Sequence, residues 1–226
     1  MCPRFEPLAL LETDSHRFLV CDDGLHVEVR RPWIHAILKV ADAPSSLPYG
    51  PAPTRFSLQL RRQSLIGGLR HFIQQARDAA PMEHAAWLTL DATLDAPQRR
   101  MNYVEPAILS RGTAHITYQR PVVTPSCLPV VDCHSHGILP AFFSDTDDAD
   151  DLSDDAKLAF VVGNLDRPAI SVAMRFVGFG VSLDISDWIH GLLYAESMNP
   201  TANPAGQYDD HCEHTYPFRA TPSPRY

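Results

Sequence analysis

Two histidines one residue apart, His134 and His136, close the apolar run Val130-Val131-Asp132-Cys133, and Ser144 and Asp147 follow at helical spacing. Residues i and i+2 of an extended chain point the same way, so both imidazoles can face one ion from the end of a strand. Asp147 is the natural third ligand. Two histidines, one carboxylate and an open fourth position for water is how catalytic zinc is usually held, whereas a closed four-ligand shell marks a structural site. Zinc held in this way polarises a carbonyl and lowers the pKa of its water to about 7, giving a hydroxide nucleophile at neutral pH. Ser144 and Asp147 also read as a capping box at the start of a helix. The two readings agree, because a capped helix would hold Asp147 rigidly.

The elements that must position these groups follow from periodicity. Arg17 to Cys21 and Leu25 to Val29 are short apolar runs separated by Asp23-Gly24, a hairpin signal, and Ile34 to Val40 is a further run. A Pro-rich connector from Ala43 to Pro53 divides this β-rich extension, residues 1–54, from the remainder. Phe56 to Leu60 alternates as a strand. Leu65, Leu69, Phe72, Ile73 and Ala76 share one face of a helix predicted over Ser64 to Ala79 and ended by Pro81. Further strands are predicted at Ala85 to Leu90, Ala114 to Tyr118, Val130 to Cys133, Lys157 to Asn164 and Ile170 to Phe179, with Arg175 interrupting the last. Asp91 to Arg111 reads as a surface insertion. From Met198 onward Pro, Asn, Thr and Ser dominate, and the tail, residues 196–226, is expected to be poorly ordered or to hug the surface.

Composition bounds the class of protein. The 226 residues, 45% hydrophobic and 20% charged, suit one well-buried α/β domain with extensions. A formal net charge of −8 argues against nucleic acid as the main partner, since phosphate binding needs a basic surface. No apolar stretch approaches the roughly 20 residues needed to span a bilayer, and the first residues carry no signal-peptide pattern. The expected setting is cytoplasmic. Five irregularly spaced cysteines, Cys2, Cys21, Cys127, Cys133 and Cys212, do not form a disulfide framework and are expected as reduced thiols.

Several residues have a plainer reading beside the chemical one. Cys133 adjoins His134, but neighbouring strand residues face opposite sides, so a buried, inert thiol is expected. Asp145, Asp147, Asp148, Asp150, Asp151, Asp154 and Asp155 lack the glycine of a calcium loop and read, Asp147 apart, as a solvated acidic face. His211, Cys212 and His214 form a tail cluster with no partner pair, read as incidental.

The order His-Ser-His, seven residues, Ser, two residues, Asp resembles the signature of the JAMM (MPN+) zinc metalloproteases, over roughly residues 56 to 194. That resemblance implies an α/β domain, residues 55–195, of three-layer, cytidine deaminase-like form with a curved mixed sheet flanked by helices. It implies zinc on His134, His136 and Asp147, an upstream glutamate as general base, and Ser144 as donor to the developing oxyanion. Glu83, in Pro81-Met82-Glu83 between the helix and an apolar strand, stands at the expected place, with Glu105 and Glu28 as competitors. Asp132 is a candidate to orient an imidazole. The implied reaction is hydrolysis of a peptide or isopeptide bond at the C-terminus of a ubiquitin-like or carrier polypeptide. The longer pattern looks closest to the PRTRC system proteins, whose cassettes also encode a ThiF-like (E1-like) protein as a further expected partner. Gly137 stands where most of the family has proline, which is expected to loosen the loop. Ala86 stands where it usually has glycine, which is expected to narrow the approach of substrate. A non-catalytic MPN-type scaffold and a small-molecule amidohydrolase are the alternatives.

Overall fold

Asp22 and Asp23 form a tight turn that joins β1 (Ser15–Cys21) to β2 (Gly24–Arg31), and β2 runs through Pro32-Trp33 into β3 (Ile34–Asp42). Beyond the Pro-rich connector, β4 (Arg55–Leu58) pairs antiparallel with β3 and completes a four-stranded sheet in the order β1-β2-β3-β4. A computed structural model describes residues 1–12, 14–152 and 155–195 of the chain. The tail cluster at His211, Cys212 and His214, and the tail itself, lie outside the described residues.

The second sheet has six strands in the order β12-β11-β10-β9-β5-β6 and is mixed. Its members are β5 (Ala85–Leu90), β6 (Met101–Val104), β9 (Leu128–Ser135), β10 (Lys157–Gly163), β11 (Ser171–Gly178) and β12 (Val181–Asp184). Only β9 and β10 run parallel, and the helix α2 (Asp145–Leu152) lies in the connection between them. Helices α1 (Arg62–Ala79) and α3 (Ser186–Ala195) complete a mixed α/β fold. The apolar stripe of α1 buries Leu65, Ile66, Leu69, Phe72 and Ala76. These residues join Val27, Val29, Phe56 and Leu58 of the first sheet and Leu88, Phe160 and Phe176 of the second in one hydrophobic core.

The stretch Asp91 to Arg111, expected as a surface insertion, instead supplies two strands. β6 extends the main sheet by pairing with β5, and β7 (Ile108–Arg111) pairs with β8 (Ile116–Tyr118) in a small sheet of their own. Each has only three or four residues, and β6 acquires its partner from sheet pairing rather than from its own hydrophobic pattern.

The acidic run is not a solvated face throughout. Helix α2 is short and carries five aspartates in Asp145–Leu152, so it cannot persist on intrinsic propensity. Opposite charges on the sheet beneath hold it. Arg175 on β11 donates from Nη1 to Asp148 Oδ1 at 2.5 Å, and from Nε and Nη2 to Asp151 Oδ2 at 3.0 and 2.5 Å. Lys157 on β10 reaches Asp151 Oδ1 at 2.7 Å and Asp132 Oδ2 at 2.8 Å, and the Tyr118 hydroxyl donates to Asp132 Oδ1 at 2.6 Å. Asp151 is buried, and so are Lys157, Asp132 and Arg175. The Arg175 that interrupts an apolar strand is thus the anchor of α2.

Removing one partner of a buried ion pair leaves an uncompensated charge, a loss of about 3–5 kcal/mol. Arg175→Met is therefore expected to lower unfolding free energy by roughly that amount, read as a shift of the urea midpoint at unchanged slope. A midpoint that does not move would show that Arg175 contributes nothing to stability.

Candidate metal centre

β9 lies between β5, antiparallel, and β10, parallel, with His134 opposite Ala85 and Val161. Cys133 faces the other way, fully buried in the core, where burial and then the Asp132 charge push its thiol pKa well above the ordinary range. His136 sits just beyond the strand, and its amide donates to Val162 O at 2.9 Å. The alternation brings the two Nε2 atoms to 3.2 Å from each other.

The turn after His136 is tight. Gly137 has φ +55°, which proline cannot adopt, and a Cβ there would stand 2.5 Å from Pro81 O. Glycine at 137 thus allows the Pro81-Met82-Glu83 segment to press against the histidine loop. Gly163 does the same from β10, where a Cβ would meet Leu139 O at 2.1 Å. Backbone bonds from Leu139 N to His136 O, Asn164 N to Leu139 O and Leu165 N to Gly137 O hold the loop. Ala86 pairs with Cys133 and lies in the core behind the site, so it does not narrow the approach to it.

Asp147 is held by a capping box at the start of α2. Its Oδ2 accepts from Ser144 N at 2.7 Å and from Ser144 Oγ at 2.6 Å, and its own amide donates to Ser144 Oγ at 3.2 Å. The other oxygen, Oδ1, faces His134 Nε2 at 3.4 Å. Burial works to raise the Asp147 pKa, but the His134 charge, the two Ser144 hydrogen bonds and His136 outweigh it and hold the carboxyl below its usual value.

The sequence-predicted residues converge. His134, His136 and Asp147 each offer one ligand atom, all within 4.8 Å of one another. Glu83, Ser144 and these three line a single cavity of about 360 Å³, whose walls include His115 and Tyr118 from the β7–β8 region, Leu139 and Phe142. Glu83 is buried, and burial first, then the Asp147 charge, pushes its pKa up to about 7. Its two competitors are elsewhere: Glu28 is bound by Arg17 and His35 within the first sheet, and Glu105 is exposed just after β6.

The donor set suits a zinc ion. His136 Nδ1 lies 3.2 Å from Pro140 O, so that nitrogen donates to the carbonyl and Nε2 presents its lone pair to the site. Burial, then the nearby His134, lowers the His136 pKa and favours the neutral, ligating form. Two imidazole nitrogens and one carboxylate oxygen would supply three ligands of a four-coordinate ion, which leaves the fourth for water. Asp132 does not orient an imidazole, because both its oxygens are taken by Tyr118 and Lys157. The sequence reading missed Lys157, Asp151 and Tyr118 as supports. The available signal was a lysine and an arginine placed in otherwise apolar strands opposite aspartates three residues apart.

Comparison with known proteins gives two family matches. Residues 1–59 match a domain of unknown function, DUF2016, and residues 67–177 match the family described as prokaryotic homologs of the JAB domain. No curated protein matches the chain. Among solved structures, the solution structure of protein DSY2949 from Desulfitobacterium hafniense is similar at 16% identity, covering 52% of this chain and 85% of that one with a TM-score of 0.38. The match over residues 67–177 supports the JAMM/MPN family for that part of the chain.

Proposed function

We propose that the protein is a zinc-dependent JAMM-type metallopeptidase that hydrolyses a peptide or isopeptide bond at the C-terminus of a ubiquitin-like or carrier polypeptide. The observation that carries this reading is the convergence of His134, His136 and Asp147 in the cavity that also holds Glu83. A scaffold has no need of a general base buried beside a ligand set. The resemblance to PRTRC system proteins adds a ThiF-like protein of the same cassette as a partner, in a cytoplasmic setting.

His134, His136 and Asp147 would hold the zinc, which supplies Lewis-acid polarisation of a carbonyl and acidifies water to near pH 7. The rest of the chemistry belongs to this chain. Glu83, with a pKa of about 7, is poised to take a proton on its carboxylate at neutral pH and to release it to the departing amine. In the capped arrangement the Ser144 hydroxyl proton points at Asp147 Oδ2. Ser144 therefore fixes the ligand first, and would serve an oxyanion only by turning its proton toward the cavity. Leu139 and Phe142 give the cavity mouth apolar surface that would exclude water from a bound tail.

Three outcomes test the reading. The purified protein is expected to carry about one divalent ion, most readily zinc, and a His134→Ala, His136→Ala double variant to carry none by elemental analysis. Equal metal in both would end the assignment. Glu83→Gln is expected to keep its metal and lose about 10²–10⁴ in the rate of cleavage of a carrier-protein amide fusion. A scaffold would show no cleavage with the wild type, and a small-molecule amidohydrolase would cleave short amides but spare the fusion.

Glu83 also fixes a pH signature in the metal-free protein. Its folded pKa, about 7, lies above the ordinary 4.5, so the folded state holds a proton that the unfolded state releases. The resulting penalty is absent below pH 4.5, grows between 4.5 and 7, and is complete above 7. Glu83→Gln is accordingly expected to raise the thermal midpoint of the metal-free protein above pH 7 and to leave it unchanged below pH 4.5. A difference of the opposite sign would refute the buried-carboxyl assignment.

A further inference from the structure

Cys2 and Cys21, distant from the metal centre in sequence, meet on the outer face of the first sheet. Their Sγ atoms are 2.8 Å apart, and both residues are buried. The backbone prepares this meeting. Cys2 N donates to Val20 O at 2.9 Å and Gly50 N donates to Cys2 O at 3.1 Å, so residue 2 lies along the free edge of β1. A chain hydrogen-bonded to a strand edge runs about 4.7–4.9 Å from it, inside the roughly 4.4–6.8 Å between Cα atoms that a disulfide spans.

The surroundings show what such a bond would hold. Cys2, Cys21, Leu19 and Ile37, with Leu8 and Ala52 against them, form a small apolar cluster separate from the main core. A cluster of that size contributes little burial energy for keeping residues 1–12 in place. Among the described residues the further side-chain ties of this segment are Arg17 Nη2 to Ala9 O, Arg30 Nη1 to Leu11 O and Ser15 Oγ to Glu12 O, each at 2.5 Å. We propose that Cys2 and Cys21 form a disulfide that staples the N-terminal segment to β1. This departs from the expectation of reduced thiols throughout, and it is independent of the metallopeptidase reading.

A small disulfide such as oxidised glutathione supplies the oxidising equivalents by exchange. Cys2 is reached when residues 1–12 lift from the edge of β1. Its thiolate attacks one glutathione sulfur, the glutathione S–S bond breaks, and one glutathione thiolate leaves. The Cys21 thiolate then attacks Cys2 Sγ and expels the second glutathione. Two electrons pass to the glutathione pair, and the two thiol protons end on the two glutathione molecules. Burial, and then the neighbouring Cys2, push the Cys21 thiol up to about 12, so exchange waits on that lifting. Once closed, the same burial shields the bond from reductant.

The test uses the full chain, first reduced, then equilibrated in glutathione buffer with the oxidised form in excess and digested with trypsin. The expected product is a linked pair of the peptides Met1–Arg4 and Phe18–Arg30, about 2 Da lighter than the sum of the two thiol peptides. It should be absent from Cys2→Ala and Cys21→Ala. Amides of residues 2–12 should exchange at least about tenfold more slowly in the oxidised than in the reduced protein. Recovery of both peptides as free thiols or as separate glutathione adducts would overturn the disulfide. Equal exchange in the two forms would overturn the staple.

Discussion

The metal centre depends on a line of buried charge that runs from Tyr118 through Asp132, Lys157 and Asp151 to Arg175. A metal ligand on a helix is only as well placed as the helix, and α2 has neither the length nor the composition to place itself. Asp148 and Asp151, three residues apart, lie on one face of α2 and meet Arg175, while Asp151 alone also meets Lys157. With that face fixed to the sheet, Asp147 is turned toward β9, and Ser144 locks one carboxylate oxygen so that the other faces His134. Charges that would be costly to bury singly become acceptable because each has more than one partner. The geometry of His134, His136 and Asp147 therefore rests on residues outside that trio.

Burial, and then the Asp147 charge, set the state of Glu83. It shares its cavity with Asp147, and Asp150 and Asp151 also line the walls. There the carboxyl holds its proton up to about pH 7, and burial outranks the Asp147 charge in that effect. A divalent ion on the three ligands would reverse the local sign and draw the proton off. An ion held by Asp147 would thus be coupled to the protonation of Glu83, because Asp147 is the electrostatic neighbour of Glu83.

Much of this was legible in the sequence wherever the cause is local. The His-x-His pair ends an apolar strand, the hairpin marked by Asp23-Gly24 forms with its turn one residue earlier at Asp22-Asp23, the stripe of Leu65, Leu69, Phe72 and Ala76 makes a helix, and Ser144 and Asp147 form a capping box; each signal is local. What was not legible has distant partners. β6 and β7 are short segments beside Pro97, Arg99 and Arg100, and β6 becomes a strand only because β5 offers it an open edge. Asp148 and Asp151 look solvated in a run of aspartates because their cations, Lys157 and Arg175, sit on strands that follow α2. Gly137 reads as a departure from a family pattern, yet its φ and the closeness of Pro81 O make it the residue that fits this loop.

The N-terminal sheet shares the core of the sheet that carries the site. Phe56 on β4 packs edge-on against Phe176 on β11, next to Arg175, and Arg31 Nη2 pairs with Asp155 at 2.6 Å just before β10 begins. Arg31 and Trp33 also line a second cavity of about 350 Å³ together with Trp87, Arg120 and Lys157, and the last two belong to the wall of the metal cavity as well. Lys157 therefore stands between the two halves, its ammonium 5.5 Å from the centre of the Trp87 ring and bonded to Asp132 and Asp151 on the metal side. Lys157 pairs with Asp151, and Asp151 pairs with Arg175 to hold the helix that carries Asp147. The residues before the Pro-rich connector thus reach the second sheet through the Arg31–Asp155 pair and a shared cavity wall, and none of them lines the cavity of His134, His136 and Asp147.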